Sequence, residues 1–119
     1  MTKPCNLFAP QPEQRNAEQF DPLLKGDRMR LERIVSTGQV TPADQWYDQD
    51  TDEWVALLQG EAELIFADGL PVHLVAGDHL FIPAHRRHRV TYTSSHPACV
   101  WLALHVAAGS ARPPEPASS

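Results

Sequence analysis

Eleven prolines spread through 119 residues constrain this chain more than any other feature of it. A proline inside a helix removes a backbone donor and costs about 3 kcal/mol, so a mostly helical fold is excluded. Between the prolines and glycines the chain reads as strands. Leu31 to Ser36 is the first. Glu53 to Gln59 carries enough apolar content to be buried on both faces. Gly60 punctuates it, and Ala62, Leu64 and Phe66 then alternate with Glu61, Glu63 and Ile65. Asp68-Gly69 is a hairpin signal, after which Val72 to Val75 returns. His79 to Ile82, His88 to Thr93 and Val100 to His105 close the series, with Ala76-Gly77-Asp78 and Pro83-Ala84-His85 as turns. Short strands at this spacing define an all-β antiparallel sandwich or barrel. The sequence shows no internal repeat.

The length allows one domain with a real core and excludes two. Residues 1–27 form an N-terminal extension, 28–106 the β domain, and 107–119 an Ala-, Ser- and Pro-rich tail expected to be disordered. Within the extension, residues 12–25 are expected to hold a short helix, with Ala17, Phe20, Leu23 and Leu24 on one side and Gly26 at its end. Pro22 is the feature that opposes it. Ten Lys and Arg against fifteen Asp and Glu leave a net charge of −5. Nucleic acid is therefore not an expected partner, because phosphate binding needs a concentrated basic surface. Cys5 and Cys99 build no disulfide framework. Neither a long apolar run nor a basic amphipathic helix points to a membrane, and a cytoplasmic location is expected.

Chemistry concentrates in two stretches. The first is Trp46-Tyr47-Asp48-Gln49-Asp50-Thr51-Asp52-Glu53, where four carboxylates stand within six residues. It fails as a calcium loop, because Glu53 takes the place of the required glycine and Gln59 that of the bidentate glutamate. Asp50 and Asp52 read as solvated surface charge. Glu53 is in phase with Val55 and Leu57 and should point inward, where a carboxylate is costly unless paired or liganded. The second stretch runs from Gly77 to His88. His88 is in phase with Val90 and Tyr92, so it too should face the interior. Arg86, Arg87 and Arg89 around it are either ordinary exposed charge or an anion clamp. No phosphate loop, nucleophile elbow or HExxH zinc motif is present.

These two stretches resemble the paired motifs of a small single-domain cupin. Glu53 and Gly60, with six residues between them, match the end of the first cupin motif. Gly77, Pro83 and His88 match the spacing of the second. The resemblance covers about two thirds of the chain. It implies a jelly-roll barrel, or double-stranded β-helix, preceded here by the short helical segment. The departures fall on the ligands. The two histidines of the first motif become Trp46 and Asp48 if four residues precede Glu53, or Tyr47 and Gln49 if three do. In the second motif His85 replaces the glycine and Tyr92 the asparagine.

What the resemblance implies is a divalent transition metal, zinc, iron or manganese, held by Asp48, Glu53 and His88, with Gln49 and His85 as substitutes. A pocket lined by Trp46, Tyr47, Trp54 and Tyr92 would lie beside it. His79 and His105 could add ligands from neighbouring strands, while His73 and His96 should be exposed. Three function classes follow. The protein is a metal-dependent enzyme acting on a small polar molecule, or a non-catalytic barrel that binds a metal or a small ligand, or a metal-free barrel in which Glu53 and His88 are simply paired. Small cupins commonly form homodimers, so a second copy and a small molecule are the expected partners.

Overall fold

A computed structural model of the chain describes residues 2–9 and 17–115. Eight strands account for nearly all the regular structure: β1 (Gln19–Gly26), β2 (Met29–Ser36), β3 (Thr51–Gln59), β4 (Glu61–Phe66), β5 (Pro71–Val75), β6 (His79–Ile82), β7 (His88–Thr93) and β8 (Cys99–Ala107). They form a five-stranded sheet in the order β1-β2-β8-β3-β6 and a three-stranded sheet in the order β5-β4-β7. All neighbours are antiparallel. The fold is all-β with two sheets, as the alternating runs require.

Two expectations are corrected. The sheets do not close into a barrel: among the described residues no strand ladder joins one sheet to the other, and the isolated Tyr47–His88 bridge is a loop contact. The physical reason lies in the corners. The chain passes from β3 to β4 through Gly60 at φ +92° and from β6 to β7 through the turn after Pro83. Crossing occurs at turns rather than along continuous strands, so the sheets face each other without sharing hydrogen bonds.

The second correction concerns the N-terminal segment. No helix is present among the described residues, and Gln19–Gly26 is a strand paired with β2. Pro22 sits at a register shift in that pairing, on the outermost strand. An edge strand with a bulge is where a sheet tolerates a missing N–H, whereas a helix interior does not. The rest of the expected helix, residues 12–16, lies outside the described residues, as do 116–119 of the tail.

Val55, Leu57, Leu64, Phe66, Leu74, Ile82, Trp101 and Ala103 fill the space between the sheets. Leu57 is wholly buried, and burial of that kind stabilises by roughly 1.5–3 kcal/mol per large apolar side chain. This packing fills one end of the gap. The other end is open and carries the polar groups. No described helix is long and apolar enough to cross a membrane.

Candidate functional site

Antiparallel register places side chains from different strands in rows on one face. One such row crosses the large sheet as Ile82, Glu53, His105 and Arg30, from β6, β3, β8 and β2 in turn. The next rows inward contain Val55, Ala103 and Glu32, then Leu57, Trp101, Ile34 and Phe20. The small sheet opposes them with Leu64 of β4 and His88 and Val90 of β7. Tyr47 and Gln49 close one side from the loop before β3, held there because Tyr47 and His88 exchange backbone hydrogen bonds of 2.7 and 3.1 Å. Together with Glu18 these groups enclose a pocket of about 290 Å³ between the sheets.

The pocket has an apolar floor and an acidic rim. Glu53 is 8% exposed and makes no hydrogen bond to a described residue. Its carboxylate lies 4.0 Å from His88 Nε2 and 3.7 Å from His105 Nε2, beyond hydrogen-bonding distance. Burial, with the Glu32 carboxylate nearby, pushes Glu53 up to about 7 against the opposing pull of Arg30. His88 Nδ1 donates to the Arg86 carbonyl at 2.9 Å, which leaves Nε2 as the acceptor nitrogen facing the pocket. Burial pulls the His88 pKa below the ordinary histidine value, and the Arg86 cation adds to this. His105 Nε2 donates to Glu32 at 3.2 Å, and its buried Nδ1 has no described partner. Burial and Arg30 likewise hold His105 in its neutral form. Arg30 reaches Glu32 at 3.8 Å from a half-exposed position.

Glu18 enters through a short chain of donors. The Trp101 indole N–H donates to Ser36 Oγ at 3.2 Å, and that hydroxyl donates to Glu18 at 2.7 Å. Burial raises the Glu18 pKa despite that bond. Tyr47 feels both Glu18 and Glu53, and burial plus these charges raises its phenol above the usual value. Its ring stacks on His88 with centroids 5.5 Å apart.

The expected site residues divide sharply. Glu53, His88, Gln49 and Tyr47 all line the pocket. Asp48 does not: it faces solvent and pairs with His85 at 2.8 Å. Trp46 lies outside beside Arg87 and Arg89, at 5.5 and 5.6 Å from ring to guanidinium. Trp54 packs on His79 on the outer face of β3, and Tyr92 is 48% exposed. The three-residue register before Glu53 is therefore the one that meets the pocket. Arg86 stacks on Phe66, so the three arginines form no clamp at this pocket. His73, His79 and His96 are exposed. Asp52, read as surface charge, is instead 5% exposed and accepts backbone N–H bonds from Ala84 at 2.7 Å and Gly109 at 2.9 Å.

The expected metal centre is corrected by the same geometry. Asp48 is turned away, Tyr47 and Gln49 occupy the two motif positions where imidazoles would stand, and His105 is committed to Glu32. Among the described residues no three His, Cys, Asp or Glu side chains are grouped to hold a metal ion. The donors present do not fit the group that the motifs imply.

Glu32 and Glu18 escaped the sequence reading of the pocket, and His105 entered it only as one of two histidines that could add a ligand. Glu32 is in phase with Arg30 and Ile34 along β2, and His105 with Trp101 and Ala103 along β8. Both phases were readable. Glu32 passed as an ordinary charge in a short strand, and the Val100, Leu102, Leu104 face obscured that of Trp101. Glu18 carried no signal, since it precedes β1.

Two facing antiparallel sheets with an acid-rimmed pocket between them define an all-β domain of two sheets. The chain belongs to the cupin family: the model described as "Cupin domain" matches residues 32–105. A proposed mannose-6-phosphate isomerase from Ralstonia eutropha JMP134 is 42% identical, with 90% of this chain and 100% of that one covered at a TM-score of 0.85. A cupin superfamily protein from Desulfitobacterium hafniense DCB-2 shares the fold at 22% identity, 82% and 84% coverage and a TM-score of 0.68. The polyketide cyclase RemF from Streptomyces resistomycificus does so at 20% identity, 89% and 80% coverage and a TM-score of 0.66. No curated protein matches the sequence.

Proposed function

We propose that this cupin domain binds a small organic molecule between its two sheets, and that binding rather than chemistry is its role. The observation that carries the reading is the pocket itself. Its volume of about 290 Å³ lies just below the range for small-molecule sites, about 300–1,000 Å³, and its floor is apolar with polar groups at one end. Glu53 and His88 contribute polar contacts there, Gln49 and Tyr47 the side wall.

The name of the Ralstonia relative carries a sugar phosphate. Transferring that ligand to this chain meets an electrostatic obstacle. Among the described residues three carboxylates, Glu18, Glu32 and Glu53, line the pocket against one cation, Arg30, which already faces Glu32. A phosphate would be repelled where it needs a cationic clamp.

The test is a thermal-shift and tryptophan-fluorescence screen of small acids, sugars, alcohols and amines, with Trp101 as the reporter inside the pocket. A ligand at a hundred times its Kd should stabilise by about 2.7 kcal/mol. Val90→Phe, which fills the pocket from β7, should fold and lose that response. A screen in which no class binds, or a Val90→Phe variant that binds unchanged, would overturn the proposal.

A further inference from the structure

We infer that the pocket is built for a small organic cation: a protonated amine carried on an apolar or aromatic body. The inference rests on the pocket being a ligand site and adds the class of ligand. It starts from hydrogen-bond polarity. The open groups of Glu53 and His88 are acceptors. Neither Glu53 oxygen has a hydrogen bond to a described residue, and His88 turns its lone-pair nitrogen inward because its N–H is spent on the Arg86 carbonyl. His105 cannot supply a donor to a ligand, since its N–H is spent on Glu32. An ammonium offers three donors and no acceptor, which is the complement of this arrangement.

Charge points the same way. Arg30 pairs with Glu32 from a half-exposed position and reaches Glu53 only as a longer-range pull, so among the described residues no cation pairs with Glu53 or Glu18. Among the described residues Glu18 is satisfied by the Ser36 hydroxyl alone. An ionised carboxylate that is more than nine-tenths buried is costly alone, and a cation brought beside it removes that cost. An anionic ligand would add to the repulsion. A neutral polyol would need donors as well as acceptors, and the pocket offers it chiefly Gln49, the Tyr47 hydroxyl and the already engaged Arg30.

The remaining walls fit the body of such a molecule. Ile34, Val55, Leu64 and Trp101 line the pocket with apolar surface, and the half-exposed Phe20 extends it at the sheet edge. Tyr47 stands at the acidic end, where an aromatic face also attracts a cation.

Three probes with one body and different heads separate the outcomes: 2-phenylethylamine, 2-phenylethanol and phenylacetate, titrated near neutral pH into chelator-treated protein by calorimetry and Trp fluorescence. The amine should bind at least about tenfold more tightly than the alcohol, equivalent to about 1.4 kcal/mol, and phenylacetate should bind weakest. Glu53→Gln keeps the shape and removes the charge. It should erase most of the amine's advantage and leave the alcohol's Kd unchanged. Binding of the alcohol or the acid as tightly as the amine would overturn the cation assignment while leaving the pocket reading intact. An amine preference that survives Glu53→Gln would overturn the role given to Glu53. Failure of all three probes at millimolar concentration, together with a silent wider screen, would overturn both readings.

Discussion

Replacing Glu53 with glutamine should stabilise the protein, and the gain should depend on pH in a way that few other causes reproduce. The folded state raises this carboxyl from 4.5 to about 7. Each pKa unit is worth about 1.4 kcal/mol, so ionising Glu53 in place costs about 3 kcal/mol relative to ionising it in the unfolded chain. Below pH 4.5 the group is protonated in both states and costs nothing. As pH rises from there to about 7, the folded state holds the extra proton, so stability falls. Above about 7 both states are ionised and the loss is complete. Glutamine imitates the protonated acid throughout. Urea unfolding of both proteins from about pH 4.5 to about pH 8.5 should therefore give curves that coincide at the acid end and separate by about 3 kcal/mol at the basic end. In thermal melts that gap is on the order of 10 °C for a domain of this size. His88 and His105, held neutral by burial, withdraw stability as pH falls below the ordinary histidine value. Both proteins share them, so their own titration largely cancels in the difference, apart from the contacts each imidazole makes with position 53 at 4.0 and 3.7 Å. Parallel curves, or a variant less stable at the basic end, would refute the claim that Glu53 is desolvated and uncompensated.

The glycines that end the first motif and open the second have similar backbones, φ +92° at Gly60 and +99° at Gly77, in different surroundings. A Cβ at Gly60 would lie 2.7 Å from Ser94 Oγ and 3.0 Å from the Ala98 carbonyl, whereas at Gly77 it would meet nothing. Gly77→Ala should cost about 1–2 kcal/mol from backbone strain alone, and Gly60→Ala about 1–3 kcal/mol more, by chemical denaturation; equal costs would contradict the close approach. Asp52→Ala strips the acceptor from the Ala84 and Gly109 amides and should cost about 2–4 kcal/mol, with faster hydrogen exchange at both. Unchanged exchange there would count against Asp52 as the tie between β3, the Pro83 turn and the end of β8. His85 holds φ 65° where the cupin motif places glycine. His85→Gly should therefore stay within about 1 kcal/mol of the parent, while His85→Val should lose about 2 kcal/mol, and a reversed order would show that the Asp48 contact outweighs the backbone.

The legible part of this molecule was its alternation. Ala62, Leu64 and Phe66 point inward as their spacing requires, and β3 is buried on both faces apart from its ends and the half-buried Trp54. Phase also carried Glu53 and His88 to the interior. The failures share one cause: the deciding contact lies far away in sequence. Residues 19–26 look amphipathic at helical spacing, but β2 offers a free edge, and the edge tolerates Pro22 at a bulge. Nothing in the acidic run distinguishes Asp52 from Asp50 until the Ala84 and Gly109 amides converge on it from 32 and 57 residues away. The choice between Tyr47 with Gln49 and Trp46 with Asp48 is a one-residue shift, which in extended chain exchanges the inward side chains. The backbone bonds between Tyr47 and His88 make that choice, and no local signal does.

The substitutions at Tyr47 and Gln49 leave Glu53 buried without a resident cation, and the position can be neutralised in two ways. A proton does it below about pH 7, and a bound ammonium does it at any pH where the amine is charged. Because both compete for one carboxylate, they are linked. Amine binding near pH 6 must displace the proton from Glu53 and release it to buffer. Near pH 8.5 the carboxylate is already ionised and there is none to release. Calorimetric titrations of 2-phenylethylamine in buffers of different ionisation enthalpy read this directly. About one proton should leave per amine bound at the acid end and close to none at the basic end, with affinity falling up to about tenfold per pH unit as the solution is acidified below 7. Glu53→Gln should release no proton at either end. Amine binding with no proton release near pH 6 would mean that the ammonium sits away from Glu53, with Glu18 as the next carboxylate to test.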